Sequence, residues 1–143
     1  MFTAPCDEPY DPAAILAGMG VVVLREWLRD TWGIWSPRHR VVILATGLTI
    51  VQERCVLAHE IEHINAGDAS CGSGPVSMKA ERRADRAAAR KLIALSDICA
   101  ASQWATSEHE LAADLQVTPW VLRTRMDDLE GENRWLGTSK IAG

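Results

Sequence analysis

The chain has 143 residues, a length that suits one compact domain, or one domain with a small helical appendage. Apolar residues make up 48% and charged residues 24% of it, as in ordinary globular proteins, and no apolar run is long enough to predict a membrane span. The formal net charge of −4 argues against a protein that binds nucleic acid mainly through bulk positive charge.

The N-terminus and the cysteines indicate a reducing compartment. The first twelve residues lack a basic segment followed by an apolar one, so no signal peptide is predicted. The four cysteines form no CxxC pair and are expected to be free thiols. We therefore expect a cytoplasmic protein.

The first third of the chain predicts a short helix and a small sheet. Residues 12–18 predict one or two helical turns that end at a glycine. The apolar, β-branched run at 21–26 predicts a strand. Two further strands, at 33–35 and 41–44, flank a predicted turn at 36–39. We expect the three strands to form an antiparallel sheet.

After these strands the apolar period changes and two long helices are predicted. Thr49 with Gln52 forms a capping-box pattern, which opens a predicted helix at 50–66. A Gly- and Ser-rich loop separates it from a second helix at 78–94. This second helix carries six basic residues against two acidic ones, which is most simply a solvated face.

The remainder of the chain is predicted to be helical, with a loose tail. The predicted helices cover residues 97–105, 107–115 and 118–129. The tail is expected to begin at Gly131 and to dock back only through Trp135 and Leu136. The elements together predict an α+β fold.

The run HEIEH in the first long helix is typical of a zinc peptidase. Positions i and i+4 share one helix face, so His59 and His63 can aim both imidazoles at one ion. Glu60 projects beside that pair, where it can act as general base on a metal-bound water. Glu81, on the next helix, is the best candidate for the third protein ligand. Asp85, one turn further on, is placed to accept a hydrogen bond from one histidine and fix its orientation.

A plainer interpretation of these residues stays open. Glu81 and Asp85 would interact favourably with the helix dipole and pair with the surrounding basic residues, and the two histidines would be ordinary surface residues.

Two other residues could also reach a metal. They are Asp68 and Cys71, on the Gly-rich loop, although a thiolate suits a closed structural site better.

Contacts with a substrate are harder to assign. His39, on the turn between the second and third strands, is a candidate for an oxyanion or substrate contact, and is more simply a turn histidine. An edge strand at 33–36 or 41–44 could bind an extended substrate by strand addition.

The run LAHEIEH, a loop and then ERRADRAAARKLI resembles the ImmA/IrrE-type zinc metallopeptidases, above all the short versions encoded by phages and prophages. Their pattern is HExxH followed by a helix that begins near Glu-x-x-Ala-(Asn/Asp), which falls here on Glu81, Ala84 and Asp85. The resemblance covers roughly residues 20–130. It departs from the family at residues 87–89, three alanines where family members often carry an aromatic residue.

The resemblance implies a zincin-like core in residues 1–95, in which the small antiparallel sheet packs on the active-site helices. It implies one Zn²⁺ per chain, held by His59, His63 and Glu81, with Glu60 as the catalytic base. It also implies an endopeptidase of narrow specificity in a bacterial host, which cleaves a DNA-binding repressor of a phage or mobile element.

Residues 96–143 are predicted to form a helical subdomain that resembles a helix-turn-helix. Val117 would plug its turn, and Gln116 stands where glycine is usual. The tryptophans at 104 and 120 are expected to pack inside. Residues 105–143 hold seven acidic and four basic residues, so DNA binding is not expected to be the main role. We expect this subdomain to dock a protein or to complete the core.

A second function from another class stays open. The protein could be a non-catalytic anti-repressor or transcription regulator, with a structural or vestigial zinc site and contacts made by its helical tail. Glu60 separates the two hypotheses, because a structural site does not need a general base.

Overall fold

The computed structural model describes the backbone of residues 9–68 and 75–141, and the side chains within them other than those of residues 75–76 and 132–141. Over this part of the chain the fold is α+β, as predicted, with six helices and three strands. In chain order the elements are α1 (Pro12–Gly18), β1 (Val22–Glu26), β2 (Gly33–Ser36), β3 (Val41–Ala45), α2 (Ile50–Ala66), α3 (Pro75–Leu92), α4 (Leu95–Ser102), α5 (Glu108–Asp114) and α6 (Pro119–Ile141).

The sheet is mixed, so the prediction of an antiparallel sheet is wrong. Its strand order is β1-β3-β2, with β2 antiparallel and β1 parallel to β3. β1 ends and β2 begins at the same end of the sheet, with β3 between them. The link at 27–32 therefore crosses the end of β3. The hairpin of β2 and β3 was predicted correctly. The crossover puts β3 in the centre and leaves β2 as an edge strand.

One face of the sheet packs on α1 and α2. The buried cluster between them has Trp35, Val42 and Leu44 from the sheet, and Leu16, Leu57 and Ile61 from the two helices. The opposite face of the sheet exposes apolar side chains, among them Val22 and Leu24. The helix that carries HEIEH is therefore held directly against the strands.

Both ends of α2 are fixed by local contacts that the sequence predicts. Thr49 Oγ1 accepts from Gln52 N at 3.1 Å, and Gln52 Oε1 accepts from Thr49 N at 2.9 Å, which is a complete capping box. At the other end Gly67 adopts the left-handed conformation, with φ at 70°. The HEIEH segment thus occupies the last two turns of a well-capped helix.

A second buried cluster joins α2 and α3 to the C-terminal helices. Its members are Cys55, Ala58, Ala88, Leu92, Ile93, Ile98, Ala112, Val117 and Leu122. Val117 fills the turn between α5 and α6, as predicted. The cluster includes residues on both sides of the predicted boundary at residue 95, and the division into two domains stays a prediction.

The last helix is longer than predicted. It continues to Ile141, whereas we expected it to end near 129 and the chain to become loose from Gly131. A glycine inside a helix costs about 1 kcal/mol, which does not stop a helix whose first turns are anchored to a core. The predicted docking of Trp135 and Leu136 lies outside the described side chains.

The turn between α5 and α6 is tied to α2. Gln116 adopts a left-handed conformation with φ at 55°, which confirms the altered turn expected where glycine is usual. Arg54 of α2 donates from Nη1 to the Gln116 carbonyl at 3.0 Å. This contact satisfies a turn carbonyl and places the start of α6 beside α2.

Cys55 and Cys99 are free thiols, as expected, while Cys6 and Cys71 lie outside the described residues. No helix in the described part of the chain is long and apolar enough to cross a membrane.

An ion-pair network holds α6 to α3. Arg90 of α3 donates to both carboxylate oxygens of Asp128, each at 2.7 Å. Arg125 is buried; it donates to the Ile93 carbonyl at 3.1 Å and to Asp128 at 3.3 Å. The hydrogen bond from Arg90 lowers the pKa of the Asp128 carboxyl against the opposing effect of its burial.

We expect Asp128→Asn to lower the free energy of unfolding by about 2 kcal/mol at neutral pH, because a buried carboxylate that bonds two guanidinium groups is lost. The folded-state pKa of Asp128 is depressed, so its stabilisation is present above the ordinary carboxyl pKa of about 4 and is lost as pH falls through the folded-state value. Denaturant unfolding from pH 7 to pH 3 should show the difference between wild type and variant shrinking below about pH 4. The matched control is Asp127→Asn at the exposed neighbour, which should change stability by less than about 0.5 kcal/mol. An equal loss in both variants would contradict the assignment.

Candidate metal centre

The packing of α2 on α3 brings together the three predicted ligands. His59 Nε2 lies 2.9 Å from Glu81 Oε2, His63 Nε2 lies 3.0 Å from Glu81 Oε1, and the two Nε2 atoms are 3.0 Å apart. One ligand atom from each residue lies within 4.8 Å of the others. This His-His-Glu group, called the metal group below, could hold a metal ion.

The outer nitrogen of each imidazole is held by an aspartate. His59 Nδ1 lies 2.7 Å from Asp85 Oδ1, and His63 Nδ1 lies 2.9 Å from Asp68 Oδ2. In the neutral form, an imidazole that donates from Nδ1 carries its lone pair on Nε2, so both lone pairs would then face Glu81. Three electron-pair donors at such distances repel one another unless positive charge lies among them. The donor set therefore fits a metal cation.

The spacing of the donors also fits zinc. A tetrahedral zinc with Zn–N and Zn–O bonds of about 2.0–2.1 Å separates its ligand atoms by roughly 3.3 Å. The contacts of 2.9–3.0 Å in the metal group would have to open by only a few tenths of an ångström. Two imidazoles and one carboxylate also suit other first-row divalent ions, so the donors alone do not fix the metal.

Asp68, which the sequence allows as a direct metal ligand, lies behind His63 and pairs with Arg83. The sequence signal for this contact is the position of Asp68 directly after Gly67. A Schellman turn carries the residue after the left-handed glycine back over the last helical turn, and the Asp68 amide indeed donates to the His63 carbonyl at 3.0 Å. Cys71 lies outside the described residues.

The aspartate contacts change the proton affinity of the metal group. Burial on its own would lower the pKa of His59. The hydrogen bond and charge of Asp85, with smaller effects from Glu60 and Glu81, outweigh burial and raise the pKa to about 9. A ligating imidazole is neutral, so metal binding must displace this proton and should weaken as pH falls.

Glu60 lies buried beside the metal group and against the edge strand. Its side chain is held away from water, and this burial raises the pKa of its carboxyl, while the neighbouring imidazoles of His59 and His63 act in the opposite direction. A Cβ atom on Gly33 would clash with Val56 Cγ1 and would lie 3.5 Å from Glu60 Oε1. Glycine at this position therefore lets β2 approach α2 closely next to the carboxylate.

His39 is not brought to this site. It lies in the turn at the far end of the β2–β3 hairpin, where its Nδ1 is 3.1 Å from Ser36 Oγ. It is not among the described residues that line the cleft beside the metal group. The position favours the interpretation of a turn histidine.

A cleft of about 760 Å³ opens beside the metal group. One side of the cleft is lined by β2 and the residues just before it, 31–35. The metal group, from α2 and α3, lines a second side, and residues 118–121 with Thr124 line a third. The contribution of α6 was not predicted. Trp120, expected to pack inside, is 63% exposed and lines the cleft, and Trp104 is 81% exposed away from it.

Comparison with known proteins does not assign the chain to a family. No model of a known family matches it, and no curated protein matches its sequence. The resemblance to the ImmA/IrrE-type peptidases therefore rests on the motif residues and stays a prediction. What the site does has to be inferred from its own geometry.

If the metal group binds zinc, we expect Asp85→Ala and Asp68→Ala each to weaken that binding by roughly 10- to 100-fold, because each aspartate orients an imidazole whose other nitrogen belongs to the metal group. Competition against a chromophoric chelator at about pH 9.5 measures the affinity, because above the pKa of His59 the metal no longer has to displace the proton that Asp85 stabilises. The control is Asp114→Ala, which removes an exposed carboxylate from α5. Unchanged affinity in both variants, with intact helical circular dichroism, would show that the aspartates do not position metal ligands.

Proposed function

We propose that this protein is a zinc-dependent endopeptidase. The observation that supports this best is the metal group itself, two imidazole nitrogens and one carboxylate converging on one point, with a buried fourth side chain, Glu60, beside it. Catalytic zinc sites use three protein ligands and keep a position open, and hydrolysis adds a base within reach of that position. The adjoining cleft provides room for a peptide.

His59, His63 and Glu81 would hold the zinc, and Asp85 and Asp68 would keep the imidazoles in the ligating tautomer. When bound, zinc supplies a water of lowered pKa and polarises a carbonyl oxygen. Glu60 would take the proton from the attacking water and deliver it to the leaving amine.

The edge strand suggests how a substrate is held. β3 is paired on both sides, so the alternative of strand addition at 41–44 is excluded, whereas β2 has one free edge and lines the cleft. An extended peptide could add to that edge and pass over the metal group. Since a folded segment cannot pair in this way, the substrate would be locally unfolded at the bond that is cut. That requirement would narrow the choice of substrates.

The nature of the natural substrate is a further proposal, and it rests on the resemblance described above. We infer that the substrate is a protein, and that a DNA-binding repressor of a phage or mobile element is cleaved to relieve repression. The cytoplasm of a bacterial host is the compartment in which such a repressor acts.

One observation weighs against the alternative of a non-catalytic regulator that acts by protein binding through its helical tail. Glu60 is buried beside the metal group, a position that a purely structural site does not require. DNA contact by the tail is disfavoured separately, because the start of the second helix of a helix-turn-helix is the part that contacts DNA bases, and here residues 118–121 line the cleft.

The test is Glu60→Gln, which keeps the shape of the side chain and removes the base. We expect hydrolysis to fall by at least about 100-fold while zinc stoichiometry and melting temperature stay close to those of wild type. Zinc-loaded protein is incubated with a peptide mixture made from a bacterial proteome, and new termini are identified by mass spectrometry. The matched control is Glu62→Gln, two residues away on the same helix, where Glu62 pairs with Lys91 and not with the metal group.

Cleavage by Glu60→Gln at the wild-type rate would contradict the role of the base. Zinc binding with no cleavage by wild type, across the whole peptide mixture and against unfolded repressor proteins, would favour the non-catalytic alternative.

A further inference from the structure

The wall of the cleft that α6 contributes is built from the first turns of that helix. Thr118, Pro119, Trp120, Val121 and Thr124 line the cleft that also contains the metal group and the edge strand. The same helix contributes Leu122, fully buried, to the cluster shared with α2 and α3. One face of its first two turns therefore lies in the core while another faces the cleft.

This wall is held firmly in place. Arg54 of α2 bonds the Gln116 carbonyl just before α6, and Arg90 of α3 bonds Asp128 two turns into it. Arg125 reaches the Ile93 carbonyl at the end of α3. Because α2 and α3 also carry the metal group, the wall and the metal group are fixed to the same two helices. Their relative position is therefore set by the fold.

The cleft is apolar except at the metal group. Among the described residues that line it, the only charged or titratable side chains apart from Cys55 are those of the metal group, Glu60 and Asp85. The rest of the lining is mainly tryptophan, valine, isoleucine, alanine and proline, with three threonines and one glutamine. An acidic or basic side chain lying away from the metal would lose water in this cleft without gaining a partner.

Two tryptophans that line the cleft are only partly buried. Trp120 is 63% exposed and Trp32 is 50% exposed. An exposed indole gains free energy when an apolar group covers it, and aromatic partners gain more than their buried area alone provides. Trp104, equally large and 81% exposed, lies outside the cleft and shows that not every exposed tryptophan of this chain belongs to the site.

We propose that Trp120 is a specificity-determining residue, which selects peptides with a large apolar side chain, aromatic or leucine-like, close to the scissile bond. The proposal rests on the proposed peptidase function, since it names the substrate class of the same site. The wall from α6 receives the side chain while the free edge of β2 receives the backbone. The helical tail then has a role in substrate choice as well as in completing the core.

The experiment uses the full-length, zinc-loaded protein and short peptide hydroxamates that differ in one side chain, phenylalanine, alanine, lysine or aspartate. The hydroxamate group chelates zinc and is not hydrolysed, so calorimetry reads binding without relying on turnover. We expect the phenylalanine compound to bind about tenfold more tightly than the alanine compound, because a buried apolar side chain adds roughly this factor. The aspartate compound should bind most weakly.

Four variants test whether Trp120 causes this preference. Trp120→Ala should abolish most of the tenfold preference, whereas Trp120→Phe should keep most of it. Trp120→Glu should reverse it in favour of the lysine compound, and it remains informative if the alanine variant is poorly folded. Trp104→Ala is the matched control and should leave every affinity unchanged.

The outcomes separate this inference from the proposed function. Equal affinity for all side chains in wild type, or an unchanged preference in Trp120→Ala and Trp120→Glu, would overturn the inference and leave the zinc site intact. Failure to bind zinc would overturn both proposals. Selective binding by a protein that cleaves no peptide would contradict the endopeptidase function, while the selection by Trp120 would stand as a property of a binding site.

Discussion

Two imidazoles and one carboxylate are held about 3 Å apart where α2 packs on α3, and this crowding of electron-pair donors is the constraint around which the site is built. Left alone, such donors repel one another. The chain retains them because Asp85 and Asp68 fix the two rings from behind and because positive charge, as a proton or a metal ion, is favoured among them. The elevated pKa of His59 and the proposed affinity for zinc are two consequences of the same arrangement.

Small side chains help the two helices to hold this arrangement. Ala58 of α2 and Ala88 of α3 belong to one buried cluster, and Ala84, one turn before Ala88, is fully buried. Two of the three alanines at 87–89, Ala88 and Ala89, are buried. They occupy the segment in which the ImmA/IrrE-type peptidases often carry an aromatic residue. Gly33 allows a close approach on the other side of α2, where the Cβ atom of any other residue would clash with Val56. Close approach on both sides places the metal group, Glu60 and the edge strand around one cleft.

Local patterns predicted the parts of the structure that depend on local contacts. The capping box at Thr49, the left-handed glycine at 67 and the HExxH spacing each involve residues within one or two turns, and the structure has α2 where these signals placed it. The parallel pairing of β1 depends on a partner about twenty residues away across a crossover, and nothing in the strand itself distinguishes parallel from antiparallel pairing. The position of Trp120 depends on how α6 packs on α3, which involves ion pairs between residues nearly forty positions apart. The residues around Trp120 in its own helix therefore could not predict that it is exposed in the cleft. The contact of Asp68 with His63 is local and could have been predicted. A left-handed glycine at the end of a helix carries the next residue back over the last helical turn, and Asp68 follows Gly67.

Elemental analysis of the purified protein tests most directly whether HEIEH and Glu81 form a metal site. Native protein and His63→Ala are compared after zinc is offered and excess is removed, with circular dichroism to confirm that the variant retains its helices. We predict one zinc per chain in the native protein and none in the variant. A native protein that binds no zinc under these conditions would contradict the claim, and HEIEH would then be only one face of a helix.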